Sequence, residues 1–357
     1  MPAAKADPPL TGGRVMPAFV DVALADPDRV FATFDGAPIR FEGLLGQGSG
    51  LGASLAALGI GRGDVVAVMI RNSPRALAVV LGPALAAVPR PVTLPAPSDL
   101  CAIMYTSGTT GAPKGVLATH RMMRIAAEGV RVVADPRPED VFFLREPLYH
   151  IGGAQVLALP ALAGVTLAMT ERFSASRFWQ QVSDCRATHV HYLGGILQML
   201  LKQPPHPAET THGVRTLWGG GCPAEVFAAA RARWGIAIRE CYGMTEMSSI
   251  TTASDGARGG VIGAALPWFR VTIRDAKGPL APGLRGEIVV EASDPGAFFA
   301  GYLDNPDATA RTLIDGRLHT GDQGSVDADG MIRFHGRLVD TLRVRGKTCR
   351  RGRWSMS

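Results

Sequence analysis

YTSGTTGAPKG, residues 105–115, packs four Ser/Thr hydroxyls, three glycines and one lysine into eleven positions. Glycines let the backbone turn tightly and present its amide N–H groups, hydroxyls add donors, and Lys114 adds a positive charge. Such a loop suits a polyphosphate. It does not match the Walker pattern, because neither glycine-to-lysine spacing is right and no Ser or Thr follows Lys114. Taken alone, the same composition also describes a Gly/Thr surface turn. Its flanks set the context: residues 102–105 and 116–118 read as strands, and a helix follows from about 121 to 132.

Towards the N-terminus, residues 16–25 read as a helix and 30–34 as a strand before the Asp35-Gly36 turn. Residues 41–58 form an amphipathic helix stopped by Gly59. DVVAVMI at 64–70 is a continuous apolar run, which predicts a parallel strand buried on both faces. Residues 75–88 read as an Ala-rich helix limited by Pro83, and PRPVTLPAP at 89–97 must be extended or turn-rich. Strand and helix alternate again over 145–246. Beyond 260 only short strands remain, at 269–274, 286–291 and 331–334. The order predicts an α/β fold with right-handed crossovers, followed by a small antiparallel β unit.

Composition narrows the class. The chain has 357 residues, 46% hydrophobic and 19% charged, enough for two or three packed units and unlike a disordered chain. The net charge of +6 is confined to the last 21 residues, where seven basic groups face one acid. The body is electrically balanced, which argues against a nucleic-acid partner. Five scattered cysteines without a C-x-x-C pair fit reduced thiols and a cytoplasmic setting. No apolar signal core is read at the N-terminus. The apolar stretch 151–169 is interrupted by Gln155, Pro160, Thr166 and three glycines, so it reads as a buried helix entering a buried strand and no membrane span is expected.

Two further clusters carry chemistry. In CYGMTE, residues 241–246, Tyr242 can stack on a base, Thr245 can meet a phosphate oxygen, and Glu246 can hold Mg²⁺. Equally, Thr and Glu after a Tyr-Gly turn are common helix-capping chemistry. In HTGDQG, residues 319–324, Asp322 follows a Gly turn, as does the acid that accepts ribose hydroxyls in dinucleotide folds. An ordinary turn aspartate is the alternative. His189 and His191 lie at strand spacing with no acid or cysteine partner, which points to structural roles.

Taken together and in order, these stretches resemble the adenylate-forming superfamily of acyl-CoA synthetases, luciferases and peptide-synthetase adenylation domains. The resemblance runs from about residue 16 to 346. It also includes PLYHIGG (147–153), GGGCP (219–223), GEIVV (286–290) and GRLVD (336–340). LGGILQMLLKQPP (193–205) is most similar to the crotonobetaine/carnitine-CoA ligase branch.

The resemblance implies stacked α/β units and a two-step reaction: a small-molecule carboxylic acid is activated by Mg·ATP to acyl-AMP, then transferred to coenzyme A. By motif, Thr106, Ser107, Gly108, Thr109, Thr110 and Lys114 would wrap the β- and γ-phosphates. Thr245 would touch the α-phosphate and Glu246 would be the metal ligand. Gly219, Gly220, Gly221, Tyr242 and Gly243 would frame the adenine, and Asp322 and Arg337 the ribose. His150 would gate the junction of the acyl and coenzyme A channels. The implied units are 1–100, apparently shortened, then 101–260 with the phosphate loop, the β unit 261–336, and a hinge with basic tail at 337–357.

Three departures from the family pattern matter. Only residues 89–100 join the Ala-rich helix to the phosphate-loop strand, so the first unit is expected to expose apolar surface. Val339 stands where the hinge usually has Asp or Lys. After Gly346 the chain reads KTCRRGRWSMS instead of entering the family's C-terminal domain, whose lysine assists adenylation. Loss of one such transition-state contact costs roughly 10²–10³ in rate. The expectation is weak adenylation, with a non-catalytic ATP- or acyl-adenylate-binding remnant as the alternative and a shifted reading frame as the origin of the tail.

Overall fold

The computed structural model describes residues 15–85, 95–106, 113–338, 341–344 and 347–350. Its centre is a nine-stranded sheet built from β1 (Val30–Phe34), β2 (Ala37–Arg40), β5 (Val141–Leu144), β6 (Thr166–Met169), β7 (His189–Leu193), β8 (Thr216–Gly220), β9 (Ala237–Tyr242), β10 (Thr252–Ala253) and β11 (Ala264–Ala265). The hairpin β3 (Leu100–Thr106) and β4 (Lys114–Thr119) forms a separate two-stranded sheet. Across the sheet the order is β11-β10-β9-β8-β7-β5-β6-β1-β2, and the six strands from β9 to β1 are parallel.

Alternation along the strands explains why both faces are covered. In β5, Phe142 and Leu144 enter one apolar cluster with α1 (Val15–Ala25), α2 (Phe41–Ala57), α3 (Pro74–Leu85) and α4 (His120–Ala134). Phe143 enters the other, with Trp179, Leu217 and Trp234. Alternate side chains of a strand point to opposite faces, so a strand buried twice must be apolar throughout. The stretch 151–169 fulfils its expectation, forming two short buried helices and then β6.

α4 begins at a cap in which Thr119 Oγ1 accepts from the Met122 N–H at 3.2 Å, and ends with Asp135 in the left-handed conformation. Its buried Glu128 is held by Arg124 and Arg131.

Beyond residue 260, β12 (Phe269–Asp275), β13 (Gly278–Pro279), β14 (Gly286–Ala292), β15 (Leu313–Ile314), β16 (Arg317–Val326) and β17 (Ile332–Arg337) make an antiparallel sheet. Among the described residues no helix is long and apolar enough to cross a membrane.

One expectation fails. Residues 64–70 form neither helix nor strand and pair with no strand among the described residues, and Val65 and Met69 are 73% and 102% exposed. An apolar run becomes a buried strand only if a neighbour supplies ladder hydrogen bonds and cover. The next strand-forming segment, β3, pairs with β4 instead. The apolar surface expected in the first unit is therefore present here.

Candidate active site

Strand order locates the site. From β5 the chain goes to β6 on one side and then crosses to β7 on the other, so the order reverses at β5/β7. Open parallel sheets bind ligands beyond the carboxyl ends of their strands at such a reversal. The loops leaving β5, β8 and β9 carry PLYHIGG, GGGCP and YGMTE, and all three emerge at that edge.

The floor is made of backbone. A Cβ on Gly219 would lie 1.9 Å from the Tyr192 carbonyl oxygen, and one on Gly243 would lie 1.7 Å from that of Ser249. No side chain fits at either point, so backbone packs directly on backbone at both. Beneath it the Glu240 carboxyl, 2% exposed, accepts the Cys222 N–H and pins the turn after β8 to β9. Burial pushes the Glu240 carboxyl up to about 8 against the pull of the Cys222 and Gly221 N–H groups.

Tyr242, Asp322 and Arg337 form one cluster. The Tyr242 hydroxyl donates to Asp322 Oδ2 at 2.7 Å, and Arg337 Nε lies 2.9 Å from Asp322 Oδ1. Asp322 and Arg337 face each other in the β16–β17 register. Burial raises the Asp322 carboxyl, while the Tyr242 hydrogen bond and the Arg337 charge oppose the rise. Oδ1 is buried against Arg337, so the guanidinium holds one carboxylate oxygen and Tyr242 the other. Glu287 of GEIVV braces this turn: its carboxylate takes the Gly321 N–H at 2.9 Å and lies 2.8 Å from His319 Nδ1.

Lys114, Tyr302 and Glu246 form the second. The Tyr302 hydroxyl donates to Glu246 Oε1 at 2.7 Å, and Lys114 Nζ lies 4.2 Å from the Tyr302 ring centroid. Thr106, on β3, faces Lys114 across the hairpin. Thr245 and Glu246 are buried in a short 3₁₀ turn that ends in two left-handed residues, Ser248 and Ser249. Each such residue costs of order 1–3 kcal/mol, and strain of this kind concentrates at functional sites. The clusters feel each other: the Glu246 charge adds to the burial that raises Asp322, and the Arg337 charge opposes the burial that raises Tyr302.

His150 belongs to a separate group at the reversal itself. Its Nδ1 accepts the Gly152 N–H at 3.0 Å, and partial burial with the neighbouring His191 holds its pKa below the ordinary value. With Nδ1 accepting, Nε2 is the ring nitrogen left to carry a proton. The short helix after it is tied to the YGMTE turn by a bond from Ser249 Oγ to Gln155 Oε1 at 2.6 Å.

The structure thus brings together Thr106, Lys114, Thr245, Glu246, Tyr242, Gly243, Gly219, Gly220, Gly221, Asp322 and Arg337 at one edge, with His150 beside them. Ser107, Gly108, Thr109, Thr110 and Val339 lie outside the described residues. His189 and His191 need correction on one point, since the fold supplies each with an acid. His191 Nδ1 lies 2.8 Å from Glu146 Oε1, and His189 Nδ1 is 3.8 Å from Asp140. Both acids come from the flanks of β5, far away in sequence. Tyr302 and Glu240 were missed altogether. Tyr302 has no local signal, but Glu240 is two positions before Tyr242 on one strand, a spacing that puts both on one face.

Known proteins share both sequence and fold with this chain. A family model described as "AMP-binding enzyme" matches residues 83–303. The chain is 34% identical over 256 residues to an Escherichia coli crotonobetaine/carnitine–CoA ligase, covering 70% of this chain and 50% of that one. It is 32% identical over 276 residues to human long-chain fatty acid transport protein 3, covering 70% and 40%. The chain thus spans half or less of the curated relatives it matches. ATP-bound MatB from Rhodopseudomonas palustris shares the fold at a TM-score of 0.84 and 24% identity, over 95% of this chain and 81% of that one. MenE from Bacillus subtilis, solved with ATP and magnesium, shares it at 0.81 and 20%, over 93% and 82%.

Proposed function

From the premise that this chain belongs to the AMP-binding enzyme family, we propose that it binds Mg·ATP and a small-molecule carboxylic acid at this edge, forms an acyl-adenylate, and passes the acyl group to coenzyme A. In the first step a carboxylate oxygen bonds to the α-phosphorus and the bond to the β-phosphate breaks, releasing pyrophosphate. In the second, the thiol sulfur bonds to the acyl carbon and AMP leaves. The relatives named as CoA ligases support the choice of acceptor.

The observation that carries this reading is the convergence of two charged clusters beside the turns after β8 and β9. Adenine lies on Gly219, Gly220, Gly221 and Gly243 against Tyr242. The ribose hydroxyls meet the Asp322 carboxylate, with Arg337 alongside. Lys114 and Thr106, with Ser107, Gly108, Thr109 and Thr110, take the β- and γ-phosphates, and Thr245 takes the α-phosphate. Positioning and charge neutralisation then carry most of the catalysis.

Glu246 is a single buried carboxylate, and no group of three or more His, Cys, Asp or Glu among the described residues could hold a metal. That donor set fits Mg²⁺ arriving with the nucleotide, since Mg²⁺ needs only one or two carboxylates beside phosphate oxygens and water. When bound, the ion neutralises phosphate charge. His150 separates the acyl site, near residues 151–155, 193–197 and 219–221, from the thiol's approach. In this reading residues 1–100, 101–260 and 261–336 are the three units of one adenylating body. Cys101, Cys185, Cys222 and Cys241 are free thiols.

Thermal denaturation with a non-hydrolysable acyl-sulfamoyl-adenosine tests the reading. A ligand at 100 times its Kd stabilises by about 2.7 kcal/mol, so Tm should rise by several degrees. No rise over a panel of short aliphatic and aryl acyl groups contradicts it.

A further inference from the structure

Tyr302 sits between the two groups of opposite charge that the proposed function needs most. Among the described residues Lys114 and Glu246 form no direct ion pair, although both contact this one side chain. Lys114 Nζ rests over the ring face, and Glu246 Oε1 accepts from the hydroxyl at its rim.

The backbone around Tyr302 is fastened to the same two elements. Leu117 N–H donates to the Gly301 carbonyl at 3.0 Å and Leu303 N–H to that of Gly115 at 2.8 Å, so Tyr302 is bridged antiparallel to Val116 of β4. The Phe299 N–H donates to the Glu246 carbonyl at 2.9 Å, and the Phe299 ring packs edge-on against Tyr302 with centroids 4.7 Å apart. Tyr302 itself is 5% exposed, and its N–H is taken by Thr309 Oγ1 at 2.9 Å. A rigid, buried ring is thus registered to both the phosphate hairpin and the metal-side turn.

We propose that Tyr302 is a positioning residue that holds Lys114 and Glu246 ready for nucleotide while keeping them from closing into a salt bridge. A direct Lys114–Glu246 pair would neutralise both groups and bury them from an incoming polyphosphate and its cation. The ring face offers the ammonium a weak, releasable seat. The hydroxyl occupies one carboxylate oxygen and fixes the direction of the other. The two functions reside in different parts of one side chain and are separable by mutation.

The inference rests on the reading of the site as a Mg·ATP site, and the test separates the two. Binding of ATP and of AMP is measured calorimetrically on the full chain over a Mg²⁺ titration, for wild type, Tyr302→Phe and Tyr302→Leu. AMP lacks the phosphates that Lys114 meets and serves as the internal reference. Tyr302→Phe keeps the ring and loses the hydroxyl, so the Mg²⁺ concentration for half-maximal ATP binding should rise about tenfold with AMP affinity unchanged. Tyr302→Leu loses both contacts, so ATP should weaken at least about tenfold relative to AMP even at saturating Mg²⁺. Equal changes for ATP and AMP, or none, would mean a merely structural tyrosine and overturn the inference while leaving the site intact. If wild type itself binds neither nucleotide, the functional reading falls and this inference falls with it. Should Tyr302→Leu fail to fold, the Mg²⁺ shift in Tyr302→Phe still decides.

Discussion

The hydroxyl of Tyr242 donates to Asp322 Oδ2 at 2.7 Å, and this bond joins the last parallel strand of the large sheet to the longest strand of the small one. The proposed ribose contact is thus also a seam between two sheets. Because Asp322 is 2% exposed, removing its carboxylate leaves Tyr242 and Arg337 facing an empty position.

Asp322→Ala should therefore weaken ATP and AMP alike, by roughly 10- to 100-fold, the cost of a lost buried hydrogen-bonding group. Tyr242→Phe should cost less than Asp322→Ala, because Arg337 still holds the aspartate. Calorimetric titration of both nucleotides checks the pair. A loss confined to ATP would place Asp322 at the phosphates and contradict its assignment.

Glu240 predicts a pH dependence of stability. Its folded carboxyl is raised to about 8 from an ordinary 4.5, mainly by burial. Between these values the folded state keeps a proton that the unfolded chain has released. Its contribution to stability is therefore complete below about pH 4.5 and is lost progressively as pH rises through about 8. Glu240→Gln should flatten that part of the urea-midpoint profile while leaving the acid limb unchanged. An identical slope in both proteins would show that Glu240 is ionised in the fold.

Gly243→Ala should break the site from its floor. The added carbon would stand 1.7 Å from the Ser249 carbonyl oxygen and 3.0 Å from Ile250 Cα, so backbone must move. Overpacking of this kind costs typically 1–3 kcal/mol, and here the shift carries Thr245 and Glu246 with it. A lower urea midpoint together with lost ATP binding is expected. Retention of native affinity would mean that the turn is not held as described.

Residues 64–70 should make the chain bind hydrophobic dyes. Val65, Val66, Val68 and Met69 are exposed on a segment without strand partners among the described residues. Val66→Lys with Met69→Lys should lower dye fluorescence and concentration-dependent light scattering, with stability changed by no more than about 0.5 kcal/mol. A large loss of stability instead would show that these side chains are buried.

The misreading of that segment marks how far sequence could go. β5 and DVVAVMI are both apolar runs, yet Phe142 and Phe143 find cover on two sides while Val65 and Met69 find none. Local pattern records willingness to be a strand, and only topology decides whether a partner exists. The motif residues were legible because turn chemistry, hydroxyls and charge sit close together in sequence. Tyr302 and Glu146 were not, because each acts on a residue dozens of positions away: Glu246 for the first and His191 for the second. The acids that serve His189 and His191 likewise arrive through the parallel register of β5 and β7, which no spacing along the chain records.

The central claim is that this edge activates a carboxylate at the expense of ATP. It is tested most directly by carboxylate-dependent release of pyrophosphate over a panel of acids, wild type against Glu246→Ala. The account predicts release that requires both the acid and Mg²⁺ and falls by roughly 10²-fold or more in the variant. Release that is the same in both proteins, or independent of added acid, would contradict it.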